Sequence, residues 1–108
     1  MFKKVVNISG LPMSFLAEKV FEITPKTFNK YKNENVKLTA LLLEHALKFI
    51  EVYKSGIEVF GNSSEFNDWL MDESFGLDYK IPANLLNTSN GLDMVLEELM
   101  RIAYGATA

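Results

Sequence analysis

The decisive stretch of this sequence is GNSSEFNDWL, residues 61–70, in which one helix is expected to end and another to begin. Gly61 suits the left-handed position that commonly follows the last residue of a helix. Asn62 then begins a new helix, and Glu65 stands three residues later in a capping-box arrangement. A short helix of this kind packs against something else, and the stretch carries no reactive group.

The apolar residues of the second half recur at helical spacing and predict three helices: Phe66, Trp69 and Leu70 in the first; Leu85 and Leu86 in a short second helix that starts at Pro82; and Leu92, Val95, Leu96, Leu99, Ile102 and Ala103 in the last. Thr88 or Ser89 caps the last helix. Gly91 falls in its first turn, where a missing side chain allows a close backbone approach.

Composition limits the class of protein. A chain of 108 residues with 48% hydrophobic content predicts one compact domain, or two lobes that share a core. The absence of cysteine excludes a disulfide framework and a thiolate metal site. No apolar run approaches the roughly 20 residues of a membrane span, so we expect a soluble, cytoplasmic protein.

Charge is distributed unevenly between the two halves. Residues 1–56 contain nine Lys and five Glu, a balance of +4, whereas residues 57–108 contain one Lys, one Arg and nine acids, a balance of −7; the sum is the net charge of −3. The asymmetry suggests two surfaces with different partners, the positive one suited to a polyanion. The alternative is chance variation between two solvated faces.

Two short helices are predicted near the start of the chain. Residues 1–9 allow a short strand or an ordered arm, and Pro12 marks the start of the first helix. Its buried face has the helical spacing of Met13, Leu16, Ala17 and Val20, and it ends near residue 21. Thr24 and Pro25 are the N-cap and first residue of the second helix.

The second of these helices has one apolar side, with Phe28 and Tyr31, and one side of donors and positive charge. The polar side consists of Lys26, Asn29, Lys30 and Asn33, flanked by Thr27 and Lys32. Lys and Asn side chains can bind guanine, adenine and phosphate. Two short helices with a tight joint and a polar second helix follow the helix-turn-helix plan of DNA-binding proteins. The alternative is an ordinary amphipathic surface helix.

Residues 39–60 predict one long helix of roughly 33 Å. One apolar stripe contains Leu42, Ala46, Phe49, Tyr53, Gly56 and Phe60, and a second contains Leu43, Leu47, Ile50 and Ile57. Such a helix is central to its own fold or shares one stripe with a second copy, so the second stripe is our candidate dimerisation surface. His45, the only histidine, is interpreted as a packed core residue and not as a ligand.

The sequence offers no catalytic constellation. It contains no Gly-rich phosphate loop, and no Ser or Thr has a base partner other than the single His. Glu97 and Glu98 are adjacent, so they point to different faces of a helix. The acids Asp72, Glu73 and Asp78 do not have the spacing of an EF-hand and are read as solvated charges. We expect no enzyme activity, no cofactor and no metal.

The order of residues in the second half resembles the C-terminal toxin-binding domain of the Xre/MbcA/ParS-type antitoxins. The resemblance rests on identity and spacing together: Val59-Phe60-Gly61, Phe66, Trp69-Leu70, Pro82, Leu85-Leu86, Thr88, Gly91, Val95, Leu99, Arg101-Ile102 and Tyr104-Gly105. Upstream, Leu16-Ala17 and the run from Ile23 to Phe28 are similar to the family's helix-turn-helix part.

The resemblance implies a bacterial type II antitoxin whose C-terminal domain binds a toxin, commonly a RES-domain enzyme that uses NAD. It implies that Trp69, Leu70, Pro82, Leu85, Leu86 and Thr88 shape the toxin-binding domain. It also implies that Arg101, Tyr104, Gly105 and the tail, residues 106–108, lie nearest the entrance to the toxin's active site. The N-terminal part of the family commonly dimerises and represses its own operon.

Three features depart from the family pattern in the helix-turn-helix part. Glu22 stands where the joint usually has Gly, and one extra residue separates Ala17 from the turn. Asn29-Lys30 replaces the Arg that is common in the second helix.

Together these observations predict an all-α protein with a helix-turn-helix-like part at 1–38, a long connecting and dimerisation helix at 39–61, and a toxin-binding domain at 62–108. The expected function is an antitoxin that occludes its toxin's active site, forms a homodimer and represses its promoter. The alternative is a stand-alone transcriptional regulator whose acidic half serves only dimerisation. A third class, a small ligand-binding enzyme, would need a pocket lined by His45 and acids.

Overall fold

The computed structural model describes residues 1–105, and this part of the chain is helical without a β-strand. The helices are α1 (Phe2–Ser9), α2 (Met13–Phe15) continuing into a π-helical segment (Leu16–Val20), α3 (Pro25–Asn33), α4 (Ala40–Phe60), α5 (Ser63–Leu70), two 3-10 helices (Phe75–Leu77 and Pro82–Leu85) and α6 (Ser89–Ala103). The predicted all-α class is confirmed.

The first nine residues form neither a strand nor an arm but the helix α1, which ends at Gly10 in a left-handed conformation with φ 65°. Phe2 and Val5 on one side of α1 are buried. The Phe2 ring lies against α3, with its centroid 5.0 Å from that of Phe28 and 5.5 Å from that of Tyr31. The apolar side of α3 is therefore covered by α1, which leaves its polar side outward.

The joint between the first two predicted helices explains two of the departures from the family pattern. The Phe21 backbone N–H donates to the Leu16 carbonyl at 3.0 Å, an i to i+5 bond that accommodates the extra residue as a π-helical segment. Glu22 adopts φ 53°, the left-handed conformation for which Gly is better suited. Glu22 thus occupies the conformation of the missing Gly. Of the four residues of the predicted buried face, Leu16, Ala17 and Val20 are buried and Met13 is half-buried.

Helix α4 is the centre of the fold, as its apolar stripes predict. Thr39 caps it by accepting a hydrogen bond from the Leu42 N–H at 3.1 Å. Ala46, Phe49 and Tyr53 are fully buried, and α4 packs against α1, α5 and α6. An ion pair adds to this packing: the Lys48 ammonium of α4 lies 2.9 Å from the Asp93 carboxylate of α6.

The predicted helix starts of the second half are confirmed. Asn62 accepts from the Glu65 N–H at 2.8 Å and caps α5. Thr88, and not Ser89, caps α6 by accepting from the Gly91 N–H at 2.9 Å. A side chain at Gly91 would overlap the Leu85 carbonyl, so this Gly permits the expected close backbone approach.

Candidate protein-interaction site

The residues predicted to form a protein-binding domain divide by burial. Leu70, Pro82 and Leu86 are buried in the core, and Trp69 and Leu85 are half-buried. The three buried residues offer a partner no surface. The exposed members of the set are Thr88, Arg101 and Tyr104.

The exposed residues lie at opposite ends of α6. Thr88 is the N-cap, whereas Arg101 is in the last turn and Tyr104 is the C-cap. Thirteen residues of helix separate Thr88 from Arg101, a distance of about 20 Å along the axis. Arg101, Tyr104 and Gly105, which has φ 73°, therefore share the C-terminal end of α6, whereas Thr88 lies at the other end. The predicted tail, residues 106–108, lies outside the described residues.

A groove beside the last turn of α6 is the most chemically distinctive feature of this half. It is lined by Trp69 from α5, by residues 73–76 of the following loop, and by Glu98 and Arg101. Arg101 Nε donates to Glu98 Oε1 at 2.7 Å, and the two side chains are 52% and 10% exposed. Among residues 1–105 the terminal nitrogens of Arg101 have no hydrogen-bond partner, so they are available to an acceptor on another molecule.

The Glu98 carboxylate can lie against the loop and accept from Arg101 because residue 76 is a glycine and has no side chain. A side chain at Gly76 would overlap the Glu98 carboxylate, so only Gly fits there without displacing it. Tyr104 faces a different groove, between α4 and α6, together with Lys54 and Met100. The end of α6 thus separates two grooves, one on each side.

Sequence reasoning missed four residues of this region: Phe75, Gly76, Tyr79 and Glu98. Phe75 and Tyr79 are exposed aromatic residues in the loop after α5, with ring centroids 5.5 Å apart. No periodicity marks them, although two aromatic residues among loop acids were a usable signal. Glu98 was noticed only as a neighbour of Glu97, and the residue that accommodates it is 22 positions away in the sequence.

The candidate DNA-binding face of α3 is exposed, as its polarity suggests. Lys26, Asn29, Lys30 and Asn33 are exposed, and Thr27 and Lys32 are half-buried. Asn33 Nδ2 donates to Asn29 Oδ1 at 2.8 Å, which orders these two amides on one face. The Thr27 N–H donates to the Thr24 hydroxyl, and the Thr24 hydroxyl donates to the Thr27 hydroxyl. Both polar groups of Thr27 therefore already have a partner within this chain.

The candidate dimerisation stripe on α4 is only partly at the surface. Leu43 and Leu47 are exposed and Ile57 is half-buried, but Ile50 is packed in the core of this chain. Leu41, on the same helix but outside the predicted stripe, is 80% exposed. A second copy would therefore meet leucines near the start of α4.

His45 connects three parts of the molecule. Its Nε2 lies 3.0 Å from the Val20 carbonyl and 3.0 Å from the Leu86 carbonyl, so Nε2 is the protonated nitrogen and donates to both. The ring also packs edge-on against Phe21. This is the packed role expected from the sequence. Within residues 1–105 no group of three or more His, Asp or Glu side chains could hold a metal ion.

No helix in the described part of the chain is both long and apolar enough to cross a membrane. In a comparison with known families, residues 55–105 match the family model described as the antitoxin Xre/MbcA/ParS C-terminal toxin-binding domain. The match begins inside α4 and extends past the end of α6. No curated protein matches the chain.

Proposed function

We propose that the chain binds a RES-like toxin and covers the entrance to its active site, because residues 55–105 match the model of the Xre/MbcA/ParS antitoxin toxin-binding domain. An antitoxin role in a toxin–antitoxin system is what the family supports, and the toxin class and the mode of inhibition are our proposals. The toxin would be an enzyme that uses NAD, and the chain would neutralise it by binding alone.

The exposed guanidinium of Arg101 is the observation that carries this proposal. It is fixed by Glu98 at 2.7 Å beside Trp69, and Trp and Arg are the side chains most often responsible for binding energy at interfaces. An active site that accepts a dinucleotide binds two phosphates, and Arg or Lys side chains are common phosphate ligands. The balance of −7 over residues 57–108 complements such a site.

Inhibition of the product of the reading frame adjacent to this chain's gene tests the proposal. The purified chain should suppress NAD consumption by that product with a sharp stoichiometric end point, and its co-expression should rescue growth. Arg101→Ala should raise the Kd by about tenfold or more, and Arg101→Lys should recover only part of the affinity because Lys lacks the guanidinium fork. Absence of both a stable complex and rescue would overturn the proposal.

We further propose that the chain acts in the cytoplasm as a homodimer that represses its own promoter through α3. The polar face of α3 is exposed and opposite the side covered by α1, and Lys26 and Lys30 supply positive charge to it. Binding to the upstream DNA should weaken linearly with the logarithm of salt concentration, because phosphate contacts release counterions. Lys26→Gln combined with Lys30→Gln should flatten that slope.

The alternative function is a stand-alone regulator whose acidic half serves only dimerisation. The polar face of α3 favours this second candidate, because it is exposed and does not belong to the groove beside Arg101. Two binding measurements distinguish these functions. A stand-alone regulator would bind the upstream DNA but would form no complex with the adjacent gene product.

A further inference from the structure

We infer that residues 74–80, here named the aromatic loop, form a second contact with the toxin. This inference rests on the proposed function and adds a surface to it. The loop inserts Phe75 and Tyr79 into an apolar pocket on the toxin, and basic side chains rim that pocket. The occupant of this surface is thus the same protein that covers Arg101.

Exposure is the first argument. Phe75 is 81% exposed and Tyr79 is 60% exposed, although each is a large ring whose burial would be favourable. The two rings contact each other edge to face, at an interplanar angle of 89°. They therefore form one apolar projection and not two isolated side chains. Aromatic residues of this kind are enriched in the centres of protein interfaces.

The backbone of the aromatic loop holds these rings outward. Its ends pair through the Ser74 N–H, which donates to the Lys80 carbonyl at 3.0 Å, and the Tyr79 N–H donates back to Ser74 at 2.8 Å. Asp78 and Tyr79 both have positive φ, 61° and 62°. That conformation costs about 1–2 kcal/mol for a residue such as Tyr and less for Asp. Leu77 is buried and anchors the loop to the domain.

A loop fixed in this way is ready to bind without further ordering. Binding normally costs free energy to immobilise side chains and loops, and a closed, anchored loop has already met much of that cost during folding. Unfavourable backbone conformations persist where the surrounding structure enforces them, and they cluster at binding sites. The strained pair at 78–79 therefore accords with an interaction role.

Charge identifies the chemistry of the partner surface. Three exposed carboxylates lie near the rings, those of Asp72, Glu73 and Asp78. Residues 71–80 contain one cation, Lys80, so the local charge balance is −2. Interfaces juxtapose opposite potentials, and this juxtaposition raises association rates. The surface that receives Phe75 and Tyr79 is accordingly apolar at its centre and basic at its rim.

Continuity with the Arg101 groove identifies the partner itself. Phe75 and Gly76 line the same groove as Trp69 and Arg101. A protein that covers the Arg101 guanidinium therefore reaches the aromatic loop as well. The loop also lies inside residues 55–105, the part that matches the toxin-binding family.

The test measures the affinity of the full chain for the purified adjacent gene product, made inactive by mutation. The double variant Phe75→Ala, Tyr79→Ala should raise the Kd by at least about tenfold, as expected for interface aromatics. Lys4→Ala removes an exposed side chain from α1, outside the surfaces proposed to bind the toxin, DNA or a second copy, and should leave the Kd within twofold. A double variant that binds as tightly as the wild type would overturn the inference.

Two further measurements make the result independent of how well that variant folds. The triple variant Asp72→Asn, Glu73→Gln, Asp78→Asn removes the three carboxylates near the aromatic rings, so it should slow association and flatten its salt dependence. Asn at position 78 tolerates the left-handed backbone conformation. In the wild-type complex, hydrogen exchange at residues 71–80 should slow on binding. Unchanged exchange together with unchanged rates would contradict the inference.

The same measurements distinguish the failure of this inference from failure of the proposed function. A wild-type chain that does not bind the adjacent gene product contradicts both. A wild-type chain that binds it through Arg101, with no loss in either loop variant, contradicts the aromatic-loop contact alone.

Discussion

Glu98 and Arg101 form an ion pair of 2.7 Å within the last turns of α6, in which the carboxylate is almost enclosed and the guanidinium is half exposed. The enclosed carboxylate of Glu98 fixes the position of the Arg101 guanidinium. Glu98 packs against Gly76 of the loop, so the position of Arg101 depends on a residue from another element. The loop and the end of α6 therefore behave as one surface.

Substitution of Gly76 should damage this surface. Because the added methyl of Gly76→Ala overlaps the Glu98 carboxylate, which is the end of a flexible side chain and can shift, the free energy of unfolding should fall by about 1 kcal/mol or less. Urea denaturation measures the change. In a Glu98→Ala background the carboxylate is gone, so the cost of Gly76→Ala should shrink there. Equal costs in both backgrounds would show that Glu98 is not the obstacle.

The extent to which sequence predicted this molecule follows from the range of the interactions. Helix starts at Asn62 and Thr88 were predictable because a cap depends on three or four neighbouring residues. The core stripe of α4 was predictable because burial repeats with the helical period. Helix α1 was missed because no side-chain cap marks its start, unlike α5 of the same length, and its burial depends on aromatic residues of α3.

The surface was less predictable than the core for the same reason. The outward position of Phe75 and Tyr79 depends on hydrogen bonds that close the aromatic loop and on the burial of Leu77. The enclosure of Glu98 depends on Gly76. These relationships connect residues whose spacing has no helical or strand period, so no pattern in the sequence announces them.

Gly56 should also resist substitution, although it lies inside a helix. Helix propensity alone would favour Ala over Gly by about 1 kcal/mol. A side chain at Gly56, however, would overlap the ring of Phe66, which is fully buried between α4 and α5. We therefore expect Gly56→Ala to lower the free energy of unfolding by about 1–3 kcal/mol. Adding Phe66→Leu should reduce that penalty, and a more stable Gly56→Ala protein would refute the prediction.

Replacement of His45 should affect stability and not binding. His45→Ala removes the donor shared by the Val20 and Leu86 carbonyls, and we expect a loss of about 1–3 kcal/mol in unfolding free energy. His45→Gln retains a donor and should lose less. Well below the unfolding transition, affinity for the adjacent gene product should be unchanged in both variants. Loss of a catalytic activity in His45→Ala would instead support the enzyme hypothesis.

Tyr53 should make the stability of the protein sensitive to alkaline pH. Its hydroxyl donates to Asn67 Oδ1 at 2.6 Å, and Asn67 Nδ2 donates to the Ser9 carbonyl at 2.9 Å, so one buried chain of hydrogen bonds joins α4, α5 and α1. Burial raises the pKa of Tyr53 well above its ordinary value, because desolvation disfavours the phenolate.

The sign of the effect follows from proton linkage. Below pH 10 the phenol is neutral in both the folded and the unfolded chain, and its contribution to stability is fully present. Above pH 10 the unfolded chain loses the proton first, so the free energy of unfolding should fall by up to about 1.4 kcal/mol per pH unit from this group. Tyr53→Phe should be less stable at pH 7 by about 0.5–1.5 kcal/mol. Its urea-derived stability should then decline less steeply than that of the wild type between pH 10 and 11, whereas parallel declines would show that Tyr53 is not the group responsible.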